Sequence, residues 1–172
     1  MTGLKATLLE ALALKDLPRA GWVRAGVEQP ESVAAHSWGV AWLVLVLCPE
    51  GVDRGRALAI AVAHDLAEVR CGDITPHDGV PADEKSAREE TAMEGLAADL
   101  PNGAELLELW REYENGTTPE GRFVKACDKL DMALQAQSYS AEQGLDLEEF
   151  VESALGRLPE GVLRELATPA AT

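Results

Sequence analysis

Aromatic side chains are scarce, at 5% of the chain, and the 47% apolar content is rich in Ala and Leu instead. That balance disfavours sheet and favours packed helices. Cysteine is nearly absent. Cys48, Cys71 and Cys127 are odd in number and widely spaced, which argues against a disulfide framework or a Cys-x-x-Cys metal site and points to a reducing compartment. Cations are also in short supply: 15 Lys and Arg stand against 30 Asp and Glu, a formal charge of −15. A surface so acidic repels nucleic-acid backbones and anionic membranes, so neither is expected as a partner. No apolar run is long enough to span a bilayer, Leu43 to Cys48 being far too short. Met1-Thr-Gly-Leu-Lys5 begins an amphipathic helix without a signal-peptide core. The expected location is the cytoplasm.

What is there is helical periodicity from end to end. At 172 residues the chain is expected to be a single domain over 1–172, able to bury roughly two thirds of its unfolded surface. Leu4 to Leu14 reads as a first helix, broken by Asp16-Leu-Pro-Arg-Ala-Gly-Trp22. Val23 to Gln29 reads as a connector. Ser32 caps a second helix to Leu47, in which Trp38 and Trp42, one turn apart, read as core. Asp53 caps a third helix, Arg54 to about Val69, almost continuously apolar and so expected to be central. Pro81 opens a fourth, whose alternating charges, Glu89 among them, read as an exposed face. Asn102 caps a fifth, Gly103 to Glu114. Thr118-Pro119 starts a sixth, running to about Tyr139. Leu147 to Leu158 and Val162 to Leu166 complete the set, and Thr168 to Thr172 reads as a frayed tail.

Ala59-Ile-Ala-Val-Ala-His-Asp-Leu-Ala-Glu-Val-Arg-Cys-Gly-Asp-Ile74 is the stretch around which the rest is arranged. In a regular helix, at about 100° per residue, His64 and Glu68 share a face with Asp65 beside them. Charge buried in this way costs several kcal/mol unless it is paired or bound to metal. Asp73 follows a glycine in a loop that cannot be regular helix and that carries His77, expected in solvent. His36 adds an imidazole from the second helix and Asp128 a carboxylate from the sixth. Two imidazoles and two carboxylates suit a borderline-hard divalent ion with room for water and substrate. Other residues stay ambiguous. Arg19 is a surface charge or a guanidinium for an oxyanion, Trp22 a core anchor or a flat surface for a ring, and Asp131 borders an apolar stripe as a salt-bridge partner.

Taken together, Pro18-Arg-x-Gly-Trp22, Pro30-Glu-Ser-Val-x-x-His36, His64-Asp-x-x-Glu68, Gly72-Asp-Ile74, Glu84-Lys, Arg88-Glu-Glu and Phe123-Val-Lys-x-x-Asp128 resemble the HD-domain phosphohydrolase superfamily. Within it they resemble the branch of YfbR-type 5′-deoxynucleotidases and their eukaryotic relatives. The resemblance covers roughly residues 4–150. It implies an all-α HD-domain bundle, a homodimer, and a metal-dependent enzyme of nucleotide metabolism that hydrolyses deoxynucleoside 5′-monophosphates. His36, His64, Asp65 and Asp128 match the family's metal ligands, with Co²⁺, Mn²⁺ or Mg²⁺ as the cation. Glu68 and Asp73 match its catalytic carboxylates, which in some relatives hold a second cation with the Ile74 carbonyl. Arg19, Trp22 and Asp73 fall where the family contacts the nucleotide, and Tyr113 to Gly116 border the substrate.

The chemistry is consistent with that resemblance. A phosphomonoester dianion is a poor electrophile, so its charge must be neutralised and a nucleophile supplied. Arg19 offers a planar fork for two oxygens, and Glu68 and Asp73 can move protons. The net charge poses a difficulty, since local cations must reverse the field at the site. Other readings keep the site but change the bond: a phosphatase or phosphodiesterase for another nucleotide or small phosphate ester, or a nucleoside triphosphate hydrolase. A further one, a metal-stabilised scaffold, leaves Glu68 and Asp73 without a purpose.

Overall fold

A computed structural model describes residues 2–170. The helices are α1 (Thr2–Ala11), α2 (Ala20–Arg24), α3 (Val33–Leu47), α4 (Arg54–Ala63), α5 (Glu68–Cys71), α6 (Ala82–Ala97), α7 (Gly103–Asn115), α8 (Pro119–Gln143), α9 (Glu148–Leu155) and α10 (Val162–Ala167), with short 3-10 turns at Leu12–Lys15 and Pro76–Asp78. Among the described residues there is no strand, only an isolated bridge between Pro18 and Ser32. The fold is all-α, and among the described residues no helix is long and apolar enough to cross a membrane.

Local chemistry starts the main helices. Side-chain oxygens of Ser32, Asp53 and Thr118 accept from the backbone N–H groups of Ala35, Arg56 and Gly121, satisfying orphan donors at the starts of α3, α4 and α8. Pro119 takes the first position of α8, where its missing N–H is not needed. α8 is the axis of the molecule, packed by α3, α4, α7, α9 and α10. Val40 and Val44 of α3, Ile60 and Ala61 of α4, and Leu130 and Ala133 of α8 meet in the largest core cluster. A second cluster joins Trp22 to Tyr139 and Val151, and a third sets Met93 and Leu96 of α6 on Trp110 of α7.

Several expectations are corrected. The third helix is not continuous: α4 ends at Ala63, residues 64–67 are turns, and α5 adds a single turn. Leu66, Glu68, Val69 and Arg70 each donate three residues back, so the backbone tightens toward three residues per turn. The 100° geometry assumed for His64 and Glu68 therefore does not apply. Trp38 and Trp42 are not core but 70% and 50% exposed, stacked on each other at 6.5 Å. α3 is apolar on every face, so its pattern could not say which face turns inward. α4 is likewise buried on one side only, since Val62 faces out. Glu89 is buried rather than exposed and pairs with Lys85 at 2.9 Å. The segment read as a break and connector contains the short α2. Thr168–Ala170 carry no helix after α10, whereas Ala171 and Thr172 of the expected tail lie outside the described residues.

Candidate active site

Three helices deliver the four clustered side chains. His36 projects from the second turn of α3, His64 and Asp65 from the tightened end of α4, and Asp128 from the middle of α8. His36, His64 and Asp128 are buried, and Asp65 is nearly so. His64 Nδ1 lies 2.8 Å from the Ala61 carbonyl and His36 Nδ1 lies 2.7 Å from Asp131 Oδ2. Both acceptors require a proton on Nδ1, which leaves each Nε2 with a bare lone pair. The two Nε2 atoms nevertheless face each other at 3.4 Å. Around them, Asp65 Oδ2 lies 3.2 Å from His64 Nε2 and 3.5 Å from His36 Nε2, and Asp128 Oδ1 lies 3.3 Å from His36 Nε2.

A divalent cation fits this donor set. Ligands about 2.1 Å from a common centre stand about 3.0–3.4 Å apart along an octahedral or tetrahedral edge, close to the separations found here. His36, His64 and Asp65 form a group able to hold an ion, their ligand atoms all within 4.8 Å of one another. Without a cation, a proton must take its place. Burial and Arg19 press the His36 imidazolium down, yet hydrogen bonds to Asp128 and Asp131 and the charge of Asp65 raise its pKa to about 9. Burial opposes ionisation of Asp65 as well, but His64, Arg19 and His36 hold it below the usual carboxylate range. Asp128 behaves alike, burial being outweighed by Lys129 and the histidines. The site demands positive charge at its centre.

The next ring of contacts fixes these groups. Asp128 Oδ2 accepts from Tyr113 Oη at 2.7 Å and Lys129 Nζ at 2.8 Å, leaving Oδ1 for the cluster. Asp131 orients His36 as a carboxylate behind a ligand-type imidazole, an arrangement that sets tautomer and basicity. A Cβ on Gly39 would lie 2.2 Å from Asp131 Oδ1, so only glycine on α3 leaves room for that carboxylate. Asp131 thus meets His36 rather than the lysine partner expected from the sequence. The signal that could have found it is its position one turn after Asp128 on α8.

The remaining candidates gather on one side. Arg19 Nη1 lies 3.4 Å from Asp65 Oδ2 and 3.7 Å from Asp73 Oδ1. Burial disfavours its charge, but Asp65, Asp73 and Glu68 raise its pKa above the ordinary arginine value. Asp73 Oδ2 accepts from the Ala20 N–H at 2.7 Å, tying the loop to the start of α2. Glu68 is buried with Oε2 lacking any hydrogen-bond partner. Its pKa is pushed up to about 10 by burial and then by the Asp65 and Asp73 charges. Trp22 is 2% exposed, lies against Phe150 and Tyr139, and donates from Nε1 to Glu31 at 2.9 Å. Arg19, Trp22, Asp65, Glu68, Asp73 and Ile74 all line one cavity of about 1000 Å³, which also reaches Tyr113 and Glu114. His77 is exposed on its rim, as expected.

Residues 11–166 match the family model described as HD domain. The chain is 42% identical to the 5′-deoxynucleotidase HDDC2 of Bos taurus over 84% of its own length and 72% of the relative's. It is 40% identical to the 5′-deoxynucleotidase hdd1 of Schizosaccharomyces pombe, covering 73% of this chain and 67% of that one. Among solved structures it resembles the PH0347 protein from Pyrococcus horikoshii OT3, with TM-score 0.77 and 36% identity over 94% of this chain and 92% of the other.

Proposed function

The chain belongs to the HD domain family, and from that premise we propose that it is a metal-dependent 5′-deoxynucleotidase, hydrolysing deoxynucleoside 5′-monophosphates to deoxynucleoside and phosphate. The observation that carries the metal requirement is the pair of Nε2 lone pairs 3.4 Å apart, each fixed by the partner of its own Nδ1. A neutral scaffold would not hold two lone pairs against each other among carboxylates.

His36, His64, Asp65 and Asp128 would hold a divalent cation, and the family resemblance supports Co²⁺, Mn²⁺ or Mg²⁺ as its identity. When bound, it neutralises phosphate charge and lowers the pKa of a water so that hydroxide is available near neutral pH. The chain's own groups do the rest. Arg19, already drawn to Asp65 and Asp73, turns its planar fork to two phosphate oxygens. Glu68, whose raised pKa keeps its carboxyl protonated near neutral pH and which has an oxygen without a partner at the cavity wall, gives its proton to the leaving 5′-oxygen. Asp73 takes the proton of the attacking water while accepting from the Ala20 N–H, which ties its position to that of Arg19. Trp22, buried against Phe150 and Tyr139, backs the cavity wall near Arg19. Should a second cation bind, Glu68, Asp73 and the Ile74 carbonyl are its proposed ligands.

The working assembly we favour is a homodimer, supported by the exposed apolar stripe on α3. The cytoplasm is the proposed compartment, supported by the free thiols of Cys48, Cys71 and Cys127. The test is phosphate release from dAMP after chelation and re-addition of each divalent ion. Activity should vanish with the metal and return with it. His64→Ala and Asp65→Ala should lose both bound metal and turnover. Normal turnover by either variant, or by the chelated protein, would refute the assignment.

A further inference from the structure

The cavity resolves the difficulty posed by a charge of −15. Seven lysines and arginines line it beside seven aspartates and glutamates, so the lining is balanced in charge where the whole chain carries −15. Most of the bases are already engaged. Arg19 faces Asp65, Arg24 pairs with Glu149 at 2.9 Å, Lys85 with Glu89 at 2.9 Å and Lys129 with Asp128 at 2.8 Å. Arg122 donates to the carbonyls of Gly116 and Thr117 beyond the end of α7. Arg157 is exposed near the end of α9. Lys125 is different. It is half-buried on α8, and among the described residues its ammonium forms no ion pair. Its influence on the cavity carboxylate Glu114 is through space only, where it opposes the upward push of burial.

What holds Lys125 is an aromatic face. Nζ stands 4.3 Å from the centroid of the Tyr113 ring. The same ring lies 4.9 Å from that of His64, and its hydroxyl donates to Asp128 at 2.7 Å. A cation over a ring is fixed in place by the quadrupole while its three N–H donors stay available. An ammonium is thus kept one ring away from the cluster, facing the cavity, with its hydrogen-bonding capacity unused. In a chain with twice as many acids as bases, leaving such a cation unpaired beside buried carboxylates makes sense only if an anion arrives.

We propose that Lys125 is a substrate-binding residue that donates from Nζ to a non-bridging phosphate oxygen, reaching it from the α8 side while Arg19 approaches from α2. This rests on the nucleotidase reading of the same cavity. With the metal and Arg19 it supplies a third positive charge to a dianion whose charge must be spread during transfer.

The test uses Mn²⁺-loaded protein titrated calorimetrically with inorganic phosphate, alongside separate measurement of Mn²⁺ affinity. Lys125→Gln should weaken phosphate binding about tenfold or more with Mn²⁺ affinity unchanged, and Lys125→Arg should hold it within about threefold, as expected for a charge-assisted hydrogen bond. In turnover of dAMP, Lys125→Gln should raise KM. Unchanged phosphate affinity in Lys125→Gln would overturn the proposal. So would a parallel loss of Mn²⁺, which would make Lys125 a support for Tyr113 and Asp128. If the wild-type protein released no phosphate from dAMP with any metal, the nucleotidase reading would fail, while phosphate binding would still decide the role of Lys125.

Discussion

Asp131 shows how much a single side chain behind a ligand can decide. His36 could turn either nitrogen to the cluster, and the 2.7 Å contact with Asp131 selects Nε2. The carboxylate fits only because position 39 has no Cβ. Loss of such an outer partner typically costs 10–100-fold in metal affinity. Asp131→Asn is therefore expected to weaken Mn²⁺ binding by about 10-fold or more, measured by calorimetry, while the helical circular dichroism stays that of the wild type. Undiminished affinity would remove Asp131 from the centre. At this scale the sequence was legible for His36, His64, Asp65 and Asp128, because imidazoles and carboxylates on apolar helices are conspicuous. Asp131 was not legible. An Asp two residues from Lys129 on a helix reads the same whether it meets a lysine or a histidine from another helix.

The elements carry the site by their ends as well as their faces. α4 stops where His64 begins, and the tightened turns through residues 64–67 deliver His64, Asp65 and Glu68 along a path that a straight helix would not follow. α8 depends on its start. Thr118 accepts from Gly121 N–H at 3.0 Å and donates to Glu112 at 2.9 Å, and Glu112 is in turn held by Arg56 of α4. Thr118→Ala should lower unfolding free energy by about 1 kcal/mol, within the 0.5–2 kcal/mol range for such caps, as read by urea denaturation. Asp128 lies more than two turns downstream, so Mn²⁺ affinity should be unaffected. A loss of metal with intact stability would mean that the cap positions the ligand rather than the helix. Caps, prolines and terminal glycines are local chemistry, which is why the starts of α3, α4 and α8 were readable, whereas Asn102 precedes α7 without a side-chain cap bond. The break after Ala63 was not readable, because its residues all suit a helix and only the buried cluster bends them.

The whole molecule separates its charges and its apolar surface. Acidic residues dominate the chain, the cavity balances seven bases against seven acids, and α3 presents Trp38, Trp42, Leu45 and Val46 to solvent. An uncharged apolar stripe on a protein of charge −15 is where two like-charged copies can meet with least repulsion. Sedimentation of the wild-type protein is expected to show a dimer, and the double variant Trp38→Glu/Trp42→Glu a monomer that still binds Mn²⁺. A wild-type monomer at tens of micromolar would rule out the proposed assembly. An unchanged dimer in the variant would move the interface elsewhere. Sequence alone put both tryptophans in the core. Hydrophobicity says that a surface avoids water, and it is silent on whether this chain or a second one covers it.

By itself the sequence determined an all-α chain and the places where most helices begin, and it singled out the imidazoles and carboxylates that the fold brings together, since these follow from propensity, capping and side-chain chemistry acting over a few residues. The tertiary structure alone decided which imidazole nitrogens face each other, which carboxylate stands behind His36, which way α3 turns its tryptophans and which lysine keeps its donors free. Each of these depends on groups distant in sequence being packed into one volume, and no local pattern encodes that arrangement.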